Sequence, residues 1–341
     1  MIRDIAWSAA ARTGLPRWFR RRHREKVLVV MYHSVVDGPR PYTLWTQLPV
    51  GAFRQQLRHL QEHFRILPLS EVVERLRGGQ SLPANSAVVT FDDGFRNNCT
   101  QAFPVLQELG VPAAVMLTTG FLDGGEPNWT DRLFLALRGA PAGELDLSRF
   151  GLPPFVLGES TSRMQAYDEI RMRCKGLPAA RKSEIVSAVD DYAASPGGSE
   201  PEFAADFAPL SWEQVSAMAS SGLVEFGAHT VHHEILSQLP RDAARAEIAQ
   251  SCATVRERLE LDRVAFAYPN GRRQDFDDHC KAVLHEVGAT CALSTIEGLC
   301  APGDDLFEMR RIGVGSDMTM DRFAVMCSGL ASSLKATLGR S

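Results

Sequence analysis

Short apolar runs recur along the chain, separated by stretches in which apolar positions fall three and four apart. The first run, Val27 to Tyr32, is rich in β-branched residues and ends in His33. Continuous runs of this length predict strands buried on both faces. Phe53, Leu57 and Leu60 then repeat at helical spacing within 51–63, and Val72, Val73 and Leu76 do so within 69–76. A second run, Ala87 to Phe91, leads into Asp92-Asp93-Gly94, a helix over 99–109 stops at Gly110, and Ala113 to Thr118 forms the next strand. Strand, helix and strand joined by short connections predict parallel strands in a right-handed crossover.

Between about Leu122 and Phe207 this rhythm breaks. A helix begins near Asn128-Trp129, a Pro/Gly-rich loop occupies 139–158, two charged helical segments fill 161–194, and Ser195-Pro196-Gly197-Gly198-Ser199 reads as a linker. The segment is expected to be a helical insertion. The alternation resumes at Ser211, an N-cap with Gln214 at the third helical position, in a helix ending at Gly222. Strands follow at 223–228, 264–268, 289–293 and 311–314, alternating with helices at 242–259, 276–287 and 321–330. Strands and helices in turn around the whole chain predict an α/β fold, a distorted (β/α) TIM-like barrel of about seven strands interrupted by a helical insertion.

At 341 residues, with 45% hydrophobic and 23% charged residues, the chain has the composition of a globular protein with a sizeable core. Its net charge of −4 gives no global attraction to nucleic acid. Seven scattered cysteines without a CxxC pair are poor material for a disulfide framework or a thiolate zinc site, and suit a reducing compartment. Residues 1–26 carry Ile2, Ile5, Trp7, Leu15, Trp18 and Phe19 among polar residues, with Arg17, Arg20, Arg21, Arg22, Arg24 and Lys26 clustered late. This is neither a cleaved signal nor a membrane span. The arm is read either as a solvated segment or as a peripheral contact with an anionic membrane, and the expected location is the cytoplasm or the inner membrane face.

The candidate chemistry sits at strand ends, where α/β enzymes place it. Asp92 and Asp93 are adjacent on an extended chain and so point to opposite sides, which divides their roles. His229 and His233, four apart after the strand 223–228, can grip one cation together with a strand-end carboxylate, while His232 points elsewhere. Two imidazoles and a carboxylate suit zinc, cobalt, nickel or iron.

Thr-Phe-Asp-Asp-Gly followed by His-Thr-Val-His-His resembles the polysaccharide deacetylases with NodB-like homology, carbohydrate esterase family 4. The resemblance covers about residues 27–315, including Met31-Tyr32-His33-Ser34-Val35, Ser211-Trp212-Glu213-Gln214 and Ala267-Tyr268-Pro269-Asn270-Gly271. It implies a deacetylase barrel over 27–335, with the insertion at about 122–207. It also implies a divalent metal, zinc first, on Asp93, His229 and His233, and Asp92 as general base. The arginine that often precedes the proline loop is replaced by Ala267, so Arg311 is the candidate group orienting Asp92. The late Leu-x-Leu-His segment is absent, so His33 is the candidate acid. The Tyr268 backbone N–H matches the family's oxyanion donor. The implied activity is removal of acetyl groups, N-acetyl of a hexosamine first, from a polysaccharide or a lipid-linked or other glycan precursor. Hydrolysis of a non-sugar amide at the same site, and glycan binding without turnover, are the alternative readings. Trp129 and Phe155 are aromatic residues of the insertion that either stack on sugar or belong to its core.

Overall fold

A computed structural model of the chain describes residues 2–199 and 201–337. Seven parallel strands form its centre: β1 (Leu28–Tyr32), β2 (Ser86–Phe91), β3 (Ala113–Leu117), β4 (Val224–Ala228), β5 (Phe266–Ala267), β6 (Ala292–Glu297) and β7 (Met309–Gly313). Each pairs with the next in sequence, and β1 pairs with both β2 and β7, which closes the sheet into a barrel. A two-residue strand, Arg65–Ile66, pairs with the start of β2 outside the ring. The barrel is distorted at β5, whose register with β4 is the single pair Phe266↔Ala228.

The period-two alternation of strands divides the barrel interior by height. Val29, Val88, Ala114, Met116, Ala267, Leu293 and Met309 form one buried cluster with Leu69, Val72 and Val73, so the helix Leu69–Arg77 contributes the apolar plug at the N-terminal ends of the strands. Two residues on, the same inward rows become polar: Val88 gives way to Thr90 and Asp92, and Met309 to Arg311, all buried. Outward residues such as Val89, Phe91, Val115 and Phe226 belong to the larger cluster shared with the surrounding helices.

The insertion has a core of its own, built from Leu133, Phe134, Leu137, Phe150, Phe155, Ile170, Ile185 and Val189. Its helices are Trp129–Gly139, Ser160–Cys174 and Ala179–Ala193. The stretch expected to be loop contains a small antiparallel hairpin, Gly143–Leu145 with Phe155–Leu157. Phe155 is buried in this core, which removes it as a sugar platform. Tyr42 and Leu44, from the loop after β1, join the same core. The helix Trp212–Ser220 begins on a full capping box between Ser211 and Gln214.

The N-terminal arm holds two helices, Ile2–Arg12 and Leu15–Arg22. The first packs on the helix Met320–Cys327, where the Ser8 hydroxyl donates to Asp321 Oδ2 at 2.6 Å. The side chains of Ile2 and Ile5 lie outside the described residues. Arg20 and His23 share a small pocket with Leu28 and Asn85, so the second helix lies by the N-terminal ends of β1 and β2. No helix among the described residues is long and apolar enough to cross a membrane, and every cysteine is free.

Candidate active site

At the C-terminal ends of the strands the chain brings together Asp92 and Asp93 after β2, His229 and His233 after β4, Arg311 on β7 and His33 after β1. Backbone geometry separates the two aspartates. Asp92 continues the strand, its N–H donating to Tyr32 O at 3.0 Å, and its side chain follows Val88 and Thr90 inward. Asp93 has φ +75° and Gly94 φ +86°, so the chain leaves the strand in a left-handed turn. Gly94 is required there, because a Cβ would stand 2.9 Å from Leu117 Cδ2 in a conformation that side chains disfavour.

The loop after β4 is similarly constrained. Thr230 and His233 both have positive φ, +64° and +57°, and the Thr230 hydroxyl accepts the His233 N–H at 2.9 Å. Glu247, from the helix Arg241–Leu259, accepts the N–H groups of Val231 and His232 and pairs with the His232 ring at 2.6 Å. His232 therefore faces away from the site. Left-handed backbone at a β-branched residue costs on the order of 1–3 kcal/mol, and these bonds hold it in place.

His229 Nδ1 lies 2.8 Å from Ala267 O. A carbonyl only accepts, so Nδ1 carries the proton and the Nε2 lone pair faces the mouth. Asp93 Oδ1 stands 3.6 Å from His229 Nε2 and 3.3 Å from His233 Nε2. The ligand atoms of these three residues all lie within 4.8 Å of one another. Bonds of about 2.0–2.1 Å around a tetrahedral ion put neighbouring donors about 3.3–3.5 Å apart, so the two carboxylate–imidazole separations fit such an ion. Asp93 Oδ1 and His233 Nδ1 are also buried without a hydrogen-bond partner. Burial, with added repulsion from Asp131 and Asp92, pushes the Asp93 carboxyl up. Burial pushes both imidazoles down, leaving them neutral and able to donate lone pairs. A carboxyl short of positive charge beside two uncharged imidazoles is a donor set that a divalent cation completes.

Asp92 is supported differently. Arg311 donates from Nη1 to Oδ1 at 2.8 Å and from Nη2 to Oδ2 at 2.7 Å, while its Nε donates to Ser294 O at 2.8 Å. Burial favours the neutral acid, but the guanidinium, with His229 and His33 adding to it, outweighs this and holds Asp92 well below the usual carboxylate range. The support missing at Ala267 thus comes from β7, which barrel closure places two strands from β2. The His33 ring packs edge-on against Trp45 at 5.2 Å, its Nδ1 buried without a partner. Burial lowers it to about 4, with Asp92 opposing and Arg311 reinforcing the shift.

Tyr268 does not fill the role expected of it. Its N–H donates to Leu293 O at 3.0 Å as part of the β5–β6 ladder, so that donor is already spent. Its ring stacks on Phe276 at 4.0 Å and its hydroxyl donates to Phe307 O, which makes it a core residue.

Sequence reasoning missed two charged residues that the insertion adds to the site. Asp131 is buried with an unpartnered Oδ2, and burial raises its carboxyl to about 7. Lys182 is buried against Glu234, the residue after His233, with its ammonium 5.3 Å from the centroid of the Trp129 ring. Both carried a readable signal. Lys182 stands three, four and seven residues before Ile185, Val186 and Val189, and Asp131 three before Phe134, so each charge interrupts the apolar stripe of its own helix.

The site and barrel can be set beside known proteins. A family model for polysaccharide deacetylase matches residues 79–137 and 179–292, just over half of the chain, and skips most of the insertion. The poly-β-1,6-N-acetyl-D-glucosamine N-deacetylase of Escherichia coli K12 is 31% identical over 87 residues, 25% of this chain and only 13% of that protein's length. Streptococcus pyogenes deacetylase PplD, solved in complex with acetate, superposes with a TM-score of 0.57 at 18% identity over 89% of this chain and 98% of that one. IcaB from Ammonifex degensii gives a TM-score of 0.57 at 21% identity over 89% and 97% of the two chains. At such identities the two structures speak for a shared fold alone. The family match falls on the strands and loops that carry Asp92, Asp93, His229 and His233, and the chain belongs to the polysaccharide deacetylase family.

Proposed function

We propose that the protein is a metal-dependent hydrolase that removes N-acetyl groups from hexosamine units of a glycan. The observation that carries this reading is one barrel mouth holding an Asp93–His229–His233 donor set beside a second carboxylate, Asp92, clamped by Arg311. The hexosamine substrate is supported by the name of the Escherichia coli relative, which is 31% identical over 87 residues.

A divalent cation on Asp93, His229 and His233, zinc first and cobalt, nickel or iron after it, would lower the pKa of a water and polarise the acetyl carbonyl. The chain's own groups manage the protons. Asp92 is ionised at neutral pH and accepts a proton from the attacking water. Arg311 fixes both of its oxygens, so the base cannot rotate away. His33 is neutral at rest, and therefore holds no extra proton to give. The proton that reaches the departing amine is the one Asp92 took from water, delivered directly or across His33. This assigns His33 the part of a relay, charged only during turnover.

The test is acetate release from β-1,6-linked N-acetylglucosamine oligomers by the cation-loaded protein. Asp92→Asn should lower turnover by about 10²-fold or more while leaving the cation bound. Full activity in Asp92→Asn would sink the assignment of the base.

The helix Leu15–Arg22 supports a second element of the proposal, peripheral contact with an anionic membrane. Leu15 is 45% and Trp18 54% exposed, three residues apart on one face, with exposed Arg17, Arg21, Arg22 and Arg24 around them.

A further inference from the structure

The loop after β1 leaves the barrel and returns to it. A strand at Ser34–Val36 pairs with one at Gln47–Pro49, and residues 37–46 form the excursion between them. Tyr42 and Leu44 anchor that excursion in the core of the insertion. Trp45 turns the other way, onto the barrel mouth. Its indole lies against the chain just beyond β7: a Cβ added to Gly315 would fall 2.2 Å from Cδ1 and Nε1, and one added to Gly313 would fall 3.1 Å from Cζ2. Glycine at 315 is what lets the ring lie there, and a side chain at 313 would press on it. Ser316 N–H donates to Trp45 O at 3.1 Å, and the His33 ring meets the indole at 5.2 Å and 70°.

Trp45 is nevertheless 45% exposed. A large aromatic that is fixed by backbone contact on one side, and left in water on the other, forms a rigid apolar surface at the lip of the site. Its position is defined by adjacent strands. It stands over β7 and β1, beside His33, while Asp93, His229 and His233 stand over β2 and β4. A flat ligand lying on the indole would share the mouth with His33, which neighbours both the indole and Asp92. The pyranose ring of N-acetylglucosamine carries its substituents equatorially, so its two faces present C–H bonds, and these match the negative face of an aromatic ring.

We infer that Trp45 is the stacking platform for the hexosamine ring whose acetamide is hydrolysed, held in place by Gly313 and Gly315. This rests on the proposed hydrolase reading, and two separate readouts keep the two apart. Binding of a β-1,6-linked N-acetylglucosamine tetramer is titrated in the inactive Asp92→Asn background by calorimetry, and kcat and KM for acetate release are measured in the otherwise native protein. Trp45→Leu keeps apolar contact with the glycines but has no flat face; it should weaken tetramer binding and raise KM by about tenfold or more, the usual cost of losing an aromatic anchor. Trp45→Phe keeps a flat face and should stay within about threefold. Gly315→Ala, which displaces the indole while sparing its chemistry, should resemble Trp45→Leu. Tetramer affinity and KM unchanged within twofold in Trp45→Leu would overturn the platform, and acetate release by the same protein would leave the hydrolase reading intact. Tetramer binding that depends on Trp45 without acetate release from the native protein would uphold the platform and discard the hydrolase.

Discussion

Removing the Arg311 guanidinium tests the electrostatic design of the site most directly. Asp92 is 2% exposed, and both its oxygens are capped by Arg311. Arg311→Met preserves much of the side-chain volume and leaves a buried carboxylate without its counter-charge, which costs about 3–5 kcal/mol at neutral pH. For a chain of 341 residues, an unfolding entropy of about 2.1 cal/mol/K per residue turns that into a fall in Tm of about 4–7 °C. The pH dependence has a definite sign. In the native chain the folded pKa of Asp92 is depressed, so its pairing stabilises the fold above the unfolded value, near 3.9, and that stability is lost as pH falls through the depressed value. In Arg311→Met the folded pKa moves above 3.9 and the penalty grows with pH. The gap between the two proteins should be widest at about pH 7–8, narrow as pH falls toward about 4, and close only as pH drops through the depressed native value. Urea unfolding across this range, with chelator present, reads it. Asp92→Asn with Arg311→Met should cost less than the two single losses together by about 2 kcal/mol or more, because no charge is left stranded. A gap below about 1 kcal/mol, or one flat with pH, would refute the claim that Arg311 neutralises a buried charge.

Three further outcomes are expected. His229→Ala should lower cation affinity by at least about 10²-fold in a calorimetric titration, and chelation should abolish acetate release in the native protein until cation is restored. Asp131, raised to about 7 by burial, penalises the fold above pH 7 and ceases to do so below its unfolded value, so cation-free Asp131→Asn should be more stable than the native chain at pH 8 and equal to it near pH 4 in the same urea assay. Binding to phosphatidylglycerol vesicles in a sedimentation assay should weaken with salt and be lost when Leu15 and Trp18 are both replaced by serine; binding that survives both would exclude the helix as the contact.

Much of this arrangement was legible in the chain because buried parallel strands write themselves as apolar runs, and their ends carry the chemistry. The runs before His33, Asp92 and His229 fall on β1, β2 and β4, each ending next to the residue singled out. The reading slipped where the apolar signal and the ladder part company. The strand expected over 289–293 lies at Ala292–Glu297, because after the apolar run has ended the ladder with β7 resumes beyond an irregularity, with Glu297 opposite Arg311. Arg311 was legible as a charge on a strand, but its bidentate grip on Asp92 depends on barrel closure, which brings β7 beside β1. Tyr268 was misread because proximity to the proline loop says nothing about whether an N–H is already used by a neighbouring strand. Asp131 and Lys182 were legible as charges within an apolar stripe, but that they face the catalytic residues depends on how the insertion's helices pack beside the barrel mouth.

The plugged floor of the barrel determines which way the enzyme can look. The helix Leu15–Arg22 lies by the floor, near Leu28 and Asn85, whereas Asp92, His229 and Trp45 ring the opposite opening. Six of the seven strands have five or six residues, which at about 3.3 Å each separate the two ends by roughly 15–20 Å before any loop is added. A protein resting on a bilayer through that helix holds its mouth outward, like a cup set on a table. A sugar tethered closely to the same bilayer would be out of reach, while a long glycan bending back from the solvent would meet the opening directly. Orientation would thus act as a ruler, sorting substrates by how far their acetylated units stand from the surface.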